Sequence, residues 1–86
     1  MPLMSKKTLL PLLIAGGYIA NEKAVSYEAY GRKVVAYIGV KDMATRAKLE
    51  NYLAYELKQN PNREYFPGHP TVAVQVTYFK AWHWDE

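Results

Sequence analysis

An 86-residue chain that is half hydrophobic, 22% charged and free of cysteine has room for one core and the composition of a folded domain. The lack of cysteine excludes a disulfide framework, a thiolate nucleophile and a Cys-based zinc site. A formal net charge of +3 admits an acidic partner but falls short of the excess typical of dedicated nucleic-acid binders.

Lys6-Lys7 followed by the apolar run Leu9 to Ala15 has the order of a secretion signal, with Ala15-Gly16-Gly17 resembling a cleavage site. The run is far too short to span a bilayer. We read it instead as a short helix within the fold, capped by Thr8, with Pro11 in its first turn and Gly16-Gly17 closing it. Because Leu9 to Ala15 is apolar all round, this helix is expected to be buried in the core, in a dimer seam or against a partner.

Tyr18 to Ala20 is expected as a short strand, with residues 21–23 as a turn. Val25, Tyr27 and Ala29 then alternate with Ser26, Glu28 and Tyr30 before Gly31-Arg32, and an apolar stretch resumes at Val34. A two-residue type II′ turn at Gly31-Arg32 sets Ala29 opposite Val34, Tyr27 opposite Ala36 and Val25 opposite Ile38. All six then share one face, so turn chemistry and side-chain period agree on a hairpin over residues 24–40.

Helical spacing runs from Lys41 to Gln59, with Asp42 as N-cap and Asn60-Pro61 as the stop, giving a long helix over 42–59. Met43, Ala47, Leu49, Leu53, Ala54 and Leu57 fall on its core arc. Arg46 and Glu50 lie inside that arc, four apart, and are expected to pair across its edge. Lys48, Asn51, Tyr52, Tyr55 and Gln59 form the opposite face, expected to see water. Residues 60–70, with three prolines and one glycine, read as a loop. Residues 71–84 read as a strand, with Val72, Val74, Val76 and Tyr78 on one face and a break near Lys80. The expected architecture is a single α+β domain over 1–86: an antiparallel sheet, made of the hairpin and the C-terminal strand, packed on the long helix, with the short apolar helix at the N-terminus.

Little in this inventory suggests catalysis. The only histidines are His69 and His83 and the only serines Ser5 and Ser26, with no nucleophile-elbow motif and no paired carboxylates. His69 reads as a solvated loop imidazole. His83, Asp85 and Glu86 are too close together at the terminus to close a metal site. We therefore expect no enzyme activity, no metal and no cofactor. The remaining features suit binding. Tyr and Trp are enriched where partners dock, which singles out Lys48, Tyr52, Tyr55, Trp82 and Trp84 as a protein-binding set. Arg32, Lys33, Arg63 and Lys80 form an alternative basic set that would hold a nucleic-acid backbone beside stacking aromatics. The expectation is a small cytoplasmic protein-binding module without a membrane segment, docking on a larger protein or complex, with a second copy of the chain as a further candidate partner. Its size and style resemble the inhibitors and adaptors made by phages and mobile elements.

Overall fold

The computed structural model describes residues 3–77. The chain runs as helix α1 (Lys6–Ala15), a 3₁₀ turn (Glu22–Ala24), strands β1 (Val25–Tyr30) and β2 (Lys33–Gly39), helix α2 (Met43–Asn51) with a widened π-helical final turn (Tyr52–Glu56), and strand β3 (Thr71–Val76). The three strands form one antiparallel sheet in the order β1-β2-β3, so β2 is central.

The hairpin has the register expected from its turn: Val25 opposite Ile38, Tyr27 opposite Ala36 and Ala29 opposite Val34. Gly31 takes φ of +65°, and Arg32 does not join it in the left-handed region, which fits the first central position of a II′ turn. β3 then sets Val72, Val74 and Val76 opposite Ile38, Ala36 and Val34. One face of the sheet is therefore almost entirely aliphatic, and it packs with Leu9, Leu13, Ile19, Leu49 and Leu53 as a single core. Residues 78–84 of the expected C-terminal strand lie outside the described residues.

α1 starts one turn earlier than expected. Ser5, not Thr8, is the cap, its hydroxyl accepting from the Thr8 amide at 3.3 Å. Pro11 consequently stands in mid-helix, where it has no N–H for the Lys7 carbonyl. Leu9 and Leu13, four apart, explain why the helix tolerates this: both are buried to within 1% of complete coverage, and together they contribute several kcal/mol at roughly 2 kcal/mol per side chain. The helix is not buried all round, because Pro11, Ile14 and Ala15 on its far side are exposed. Gly16-Gly17 closes it as expected. Tyr18 N–H donates to the Leu13 carbonyl and Gly17 N–H to that of Ile14, a Schellman motif with Gly17 at φ +77°. Residues 18–20 form no strand; Ile19 is instead a buried plug and Asn21 caps the 3₁₀ turn.

α2 begins at the expected cap. Asp42 accepts from the Thr45 amide at 2.8 Å, and hydrogen bonds from the Thr45 hydroxyl and amide hold its carboxyl below the ordinary value. The core arc differs from the expected one. Met43 and Ala47 are exposed, whereas Arg46 and Glu50 are buried with Leu49 and Leu53. The helix ends before Gln59: Leu57 N–H reaches back five residues to Tyr52, and Lys58 turns left-handed at φ +56°. Among the described residues no helix is long and apolar enough to cross a membrane.

A Cβ at position 31 would meet no atom within 4 Å, so substitution there tests conformation alone. Gly31→Ala should lower stability by about 1–2 kcal/mol, the cost of a left-handed alanine, and Gly31→Asn by less. Urea unfolding of the two variants checks this ordering; an alanine variant as stable as the wild type would contradict the turn assignment.

Candidate functional site

The register that buries Val34, Ala36 and Ile38 sends Lys33, Val35 and Tyr37 of β2 to the other face of the sheet. There they join Ser26, Glu28 and Tyr30 of β1. No helix covers this outer face among the described residues; the loop after α2 does. Asn62 pairs with Ala73 at the edge of β3, through its N–H to the Ala73 carbonyl at 2.8 Å, and the chain then turns back over the sheet. Between loop and sheet lies an open groove of about 780 Å³, with Tyr30, Lys33, Tyr37, Arg63, Glu64 and Tyr65 in its walls.

Aromatic side chains lead from this face into the loop that covers it. Tyr30 and Tyr37 reach toward each other over the Glu28–Val35 pair, their hydroxyls 2.8 Å apart. Tyr30 donates to a Glu28 oxygen at 2.5 Å, and the Tyr37 hydroxyl, 3.1 Å from that oxygen, shares its one proton between it and Tyr30. Tyr37 packs on Tyr65 with centroids 5.1 Å apart, Tyr65 meets Phe66 edge-on at 5.9 Å, and Phe66 stacks on His69 at 4.7 Å. Tyr30 at one end of the strip and Phe66 near the other are 51% and 59% exposed.

The loop that carries half of the strip is held by one buried side chain. The guanidinium of Arg46, 3% exposed, has five N–H donors and uses them on five acceptors. Nε pairs with Glu50 at 3.1 Å, Nη1 donates to the carbonyls of Phe66 (3.0 Å) and His69, and Nη2 to those of Tyr65 (2.6 Å) and Arg63 (3.3 Å). The expected Arg46–Glu50 pair therefore exists, but inside the protein, as the core of a clasp and not as a rim contact. Glu50 also faces Arg63 at 3.7 Å. Four carbonyls from a seven-residue stretch can converge on one cation only if the chain reverses. Phe66 makes that reversal with φ +45° and Gly68 with φ +80°. A phenyl-bearing residue in this region costs about 1 kcal/mol or more.

The singled-out residues divide as follows. Lys33 and Arg63 share the groove; Arg32 is exposed at the hairpin tip and does not line it. Lys80, Trp82 and Trp84 lie outside the described residues, as do Tyr78 and His83. On α2 and its final turn Lys48 is exposed and Tyr55 is 67% exposed, whereas Tyr52 is only partly exposed. It is half-buried and stacks on Tyr18, centroids 5.2 Å apart. Gln59 is also half-buried, its side-chain oxygen accepting from Met4 N–H. His69 is exposed as expected, with Nδ1 2.8 Å from the Thr71 hydroxyl. The Tyr30–Tyr37–Glu28 triangle and the Phe66 knob were not singled out from sequence. The hairpin register does place Glu28, Tyr30 and Tyr37 on one face, and that parity was the available signal; nothing local marked Tyr65 or Phe66.

Comparison with known proteins adds no name to this geometry: no protein-family model, curated protein or solved structure gives a significant match to the chain.

Two outcomes follow. Arg46→Met should destabilise the fold by roughly 3–5 kcal/mol, because it leaves the buried Glu50 carboxylate with only the longer Arg63 contact and takes a donor from each of four carbonyls. Arg46→Lys should recover only part of that, since a point charge cannot serve five acceptors; chemical denaturation reads both. The phenol of Tyr30 is held well above the ordinary tyrosine range, first by its hydrogen bond to Glu28 and then by that to Tyr37. Glu28→Gln should return the Tyr30 titration toward normal, visible as earlier tyrosinate absorbance, with Tyr30→Phe assigning the signal. An unchanged titration would break up the triangle.

Proposed function

We propose that the protein is a non-catalytic protein-binding module that docks through the aromatic strip on the outer face of its sheet. The observation that carries this is Phe66. Its exposed ring stands on a left-handed residue that the Arg46 clasp holds in place. Glycine or asparagine would occupy that backbone position at lower cost. An exposed ring is kept there at a cost in stability, which is the pattern of an anchor side chain pre-set for a partner's pocket.

The rest of the strip supports the same reading. Tyrosine offers contact area at low conformational cost and a hydroxyl for polar groups across an interface. Lys33, Arg63 and Glu64 supply a mixed-charge rim. The fitting partner is a protein surface with an apolar pocket for Phe66, hydrogen-bonding groups for the tyrosines and an acidic spot for Lys33. A nucleic-acid reading draws on Lys33 and Arg63 sharing a groove with Tyr65. Glu64 in the same wall, Glu28 beneath the tyrosine pair and the Arg63–Glu50 contact all oppose phosphate there, so protein is favoured.

The experiment is a nuclease-treated pull-down from the native host with wild type, Phe66→Gly and Tyr55→Ala. We expect a stoichiometric protein that Phe66→Gly loses and Tyr55→Ala keeps, while Phe66→Gly unfolds no earlier than wild type because it relieves backbone strain. Loss with Tyr55→Ala alone would move the site to the α2 face. Recovery of nucleic acid that takes the proteins with it on nuclease treatment would overturn the reading.

A further inference from the structure

We infer that Tyr30 is a redox-active tyrosine: a one-electron oxidant converts it to a neutral tyrosyl radical while its phenolic proton passes to Glu28. This rests on three side-chain contacts within the aromatic strip and not on its docking role, so the two readings can fail separately.

Taking an electron from a neutral phenol leaves a cation radical that is a strong acid. The step is slow unless a base within hydrogen-bond reach takes the proton as the electron leaves. Alternation along the hairpin supplies that base. Glu28 and Tyr30 stand two apart on β1 and share the outer face of the sheet. The Tyr30 hydroxyl donates to a Glu28 oxygen at 2.5 Å, a short charge-assisted bond in which the proton has only a fraction of an ångström to travel.

The step balances within the site. The electron goes to the oxidant, the proton goes to the Glu28 carboxylate, and Tyr30 is left uncharged. Tyr37 completes the arrangement, its hydroxyl 2.8 Å from the Tyr30 oxygen and 3.1 Å from the same Glu28 oxygen. Once Glu28 holds a proton, the Tyr37 hydrogen turns to the Tyr30 oxygen, which then accepts from both neighbours. An external one-electron reductant reverses the step, with Glu28 returning the proton.

The surroundings direct oxidation to this pair. On the inner face the Lys6 ammonium lies 5.4 Å from the centre of the Tyr27 ring, and a cation there makes that ring's electron harder to remove. On the outer face Tyr37 packs on Tyr65 with centroids 5.1 Å apart, so an electron vacancy formed on the loop ring has a short path to Tyr37 and on to Tyr30. The Tyr30 phenol is held above the ordinary range by its bonds to Glu28 and Tyr37. It therefore reacts at neutral pH as the protonated phenol, the form that needs a proton acceptor.

Flash photolysis of the full chain with a ruthenium tris-bipyridine photo-oxidant and a sacrificial electron acceptor tests this, read by tyrosyl absorption. Tyr30→Phe and Glu28→Gln should each slow tyrosyl formation by about tenfold, less than a placed base gives in a site closed to water. Tyr55→Phe, which removes a more exposed phenol, should leave the rate unchanged. Positions 28 and 30 are both exposed, so neither variant disturbs the core. The wild-type rate should be independent of buffer concentration, whereas that of Glu28→Gln should rise with it as buffer base replaces the carboxylate. A carboxylate with a purely structural role would not alter that dependence. Tyrosyl formation indifferent to Tyr30→Phe or to Glu28→Gln, lost with Tyr55→Phe, or buffer-dependent in the wild type overturns the inference.

Discussion

The guanidinium of Arg46 sets the form of everything outside the core. A buried cation is tolerable only when its charge is paired and its donors are satisfied, and here one carboxylate and four carbonyls meet that demand in full. The dependence runs both ways. The loop has no secondary structure of its own beyond turns and a single bridge at Asn62, and Arg46 on α2 supplies donors to the carbonyls of Arg63, Tyr65, Phe66 and His69. Arg46 thus turns a proline-rich segment into a defined surface. A lysine or an aliphatic residue at the same helical position would satisfy the wheel but not the loop.

The sheet divides its labour by parity. Along each strand one set of residues is aliphatic and closes against Leu9, Leu13, Leu49 and Leu53. The alternate set carries Glu28, Tyr30, Lys33 and Tyr37 and stays on the outer face. Tyr27 is the exception on the inner side. Its phenol is pushed up to about 12, mainly by burial and then by the charge of Glu22, and Lys6 lies 5.4 Å from the centre of its ring. A cation over a ring face is favourable where water is scarce, and Lys6 is only 9% exposed. Two of the buried charged residues, Lys6 and Arg46, therefore face groups that reward a cation.

Short-range chemistry was readable in the sequence and long-range satisfaction was not. The hairpin register, the Asp42 cap and the Gly16-Gly17 stop each follow from a local rule about φ, side-chain period or capping, and all three are found. The helix wheel placed Arg46 and Glu50 on the core arc correctly, but an expectation that charges seek the rim moved them to its edge. What overrode it was the loop's need for donors, from residues 17 to 23 positions away. The same limit hid the site. Tyr52 looked free on the wheel because Tyr18 belongs to another segment, and Phe66 looked ordinary because its φ is dictated by Arg46 rather than by its neighbours in sequence.

The strained and open features lie away from the aliphatic core, and that separation has a physical reason. The thirteen buried hydrophobic residues among the described residues leave little surplus in so small a domain. Left-handed Phe66 and a carboxylate approached by two phenols draw on that surplus. Both lie on the side of the sheet that no helix covers among the described residues. Tyr52, half-buried against Tyr18, and Ile19 in the core show the opposite choice on the core side, where apolar area is spent on the fold itself. Among the described residues the aliphatic packing lies on one face of the sheet, and Tyr30 and Phe66 stand exposed on the other side.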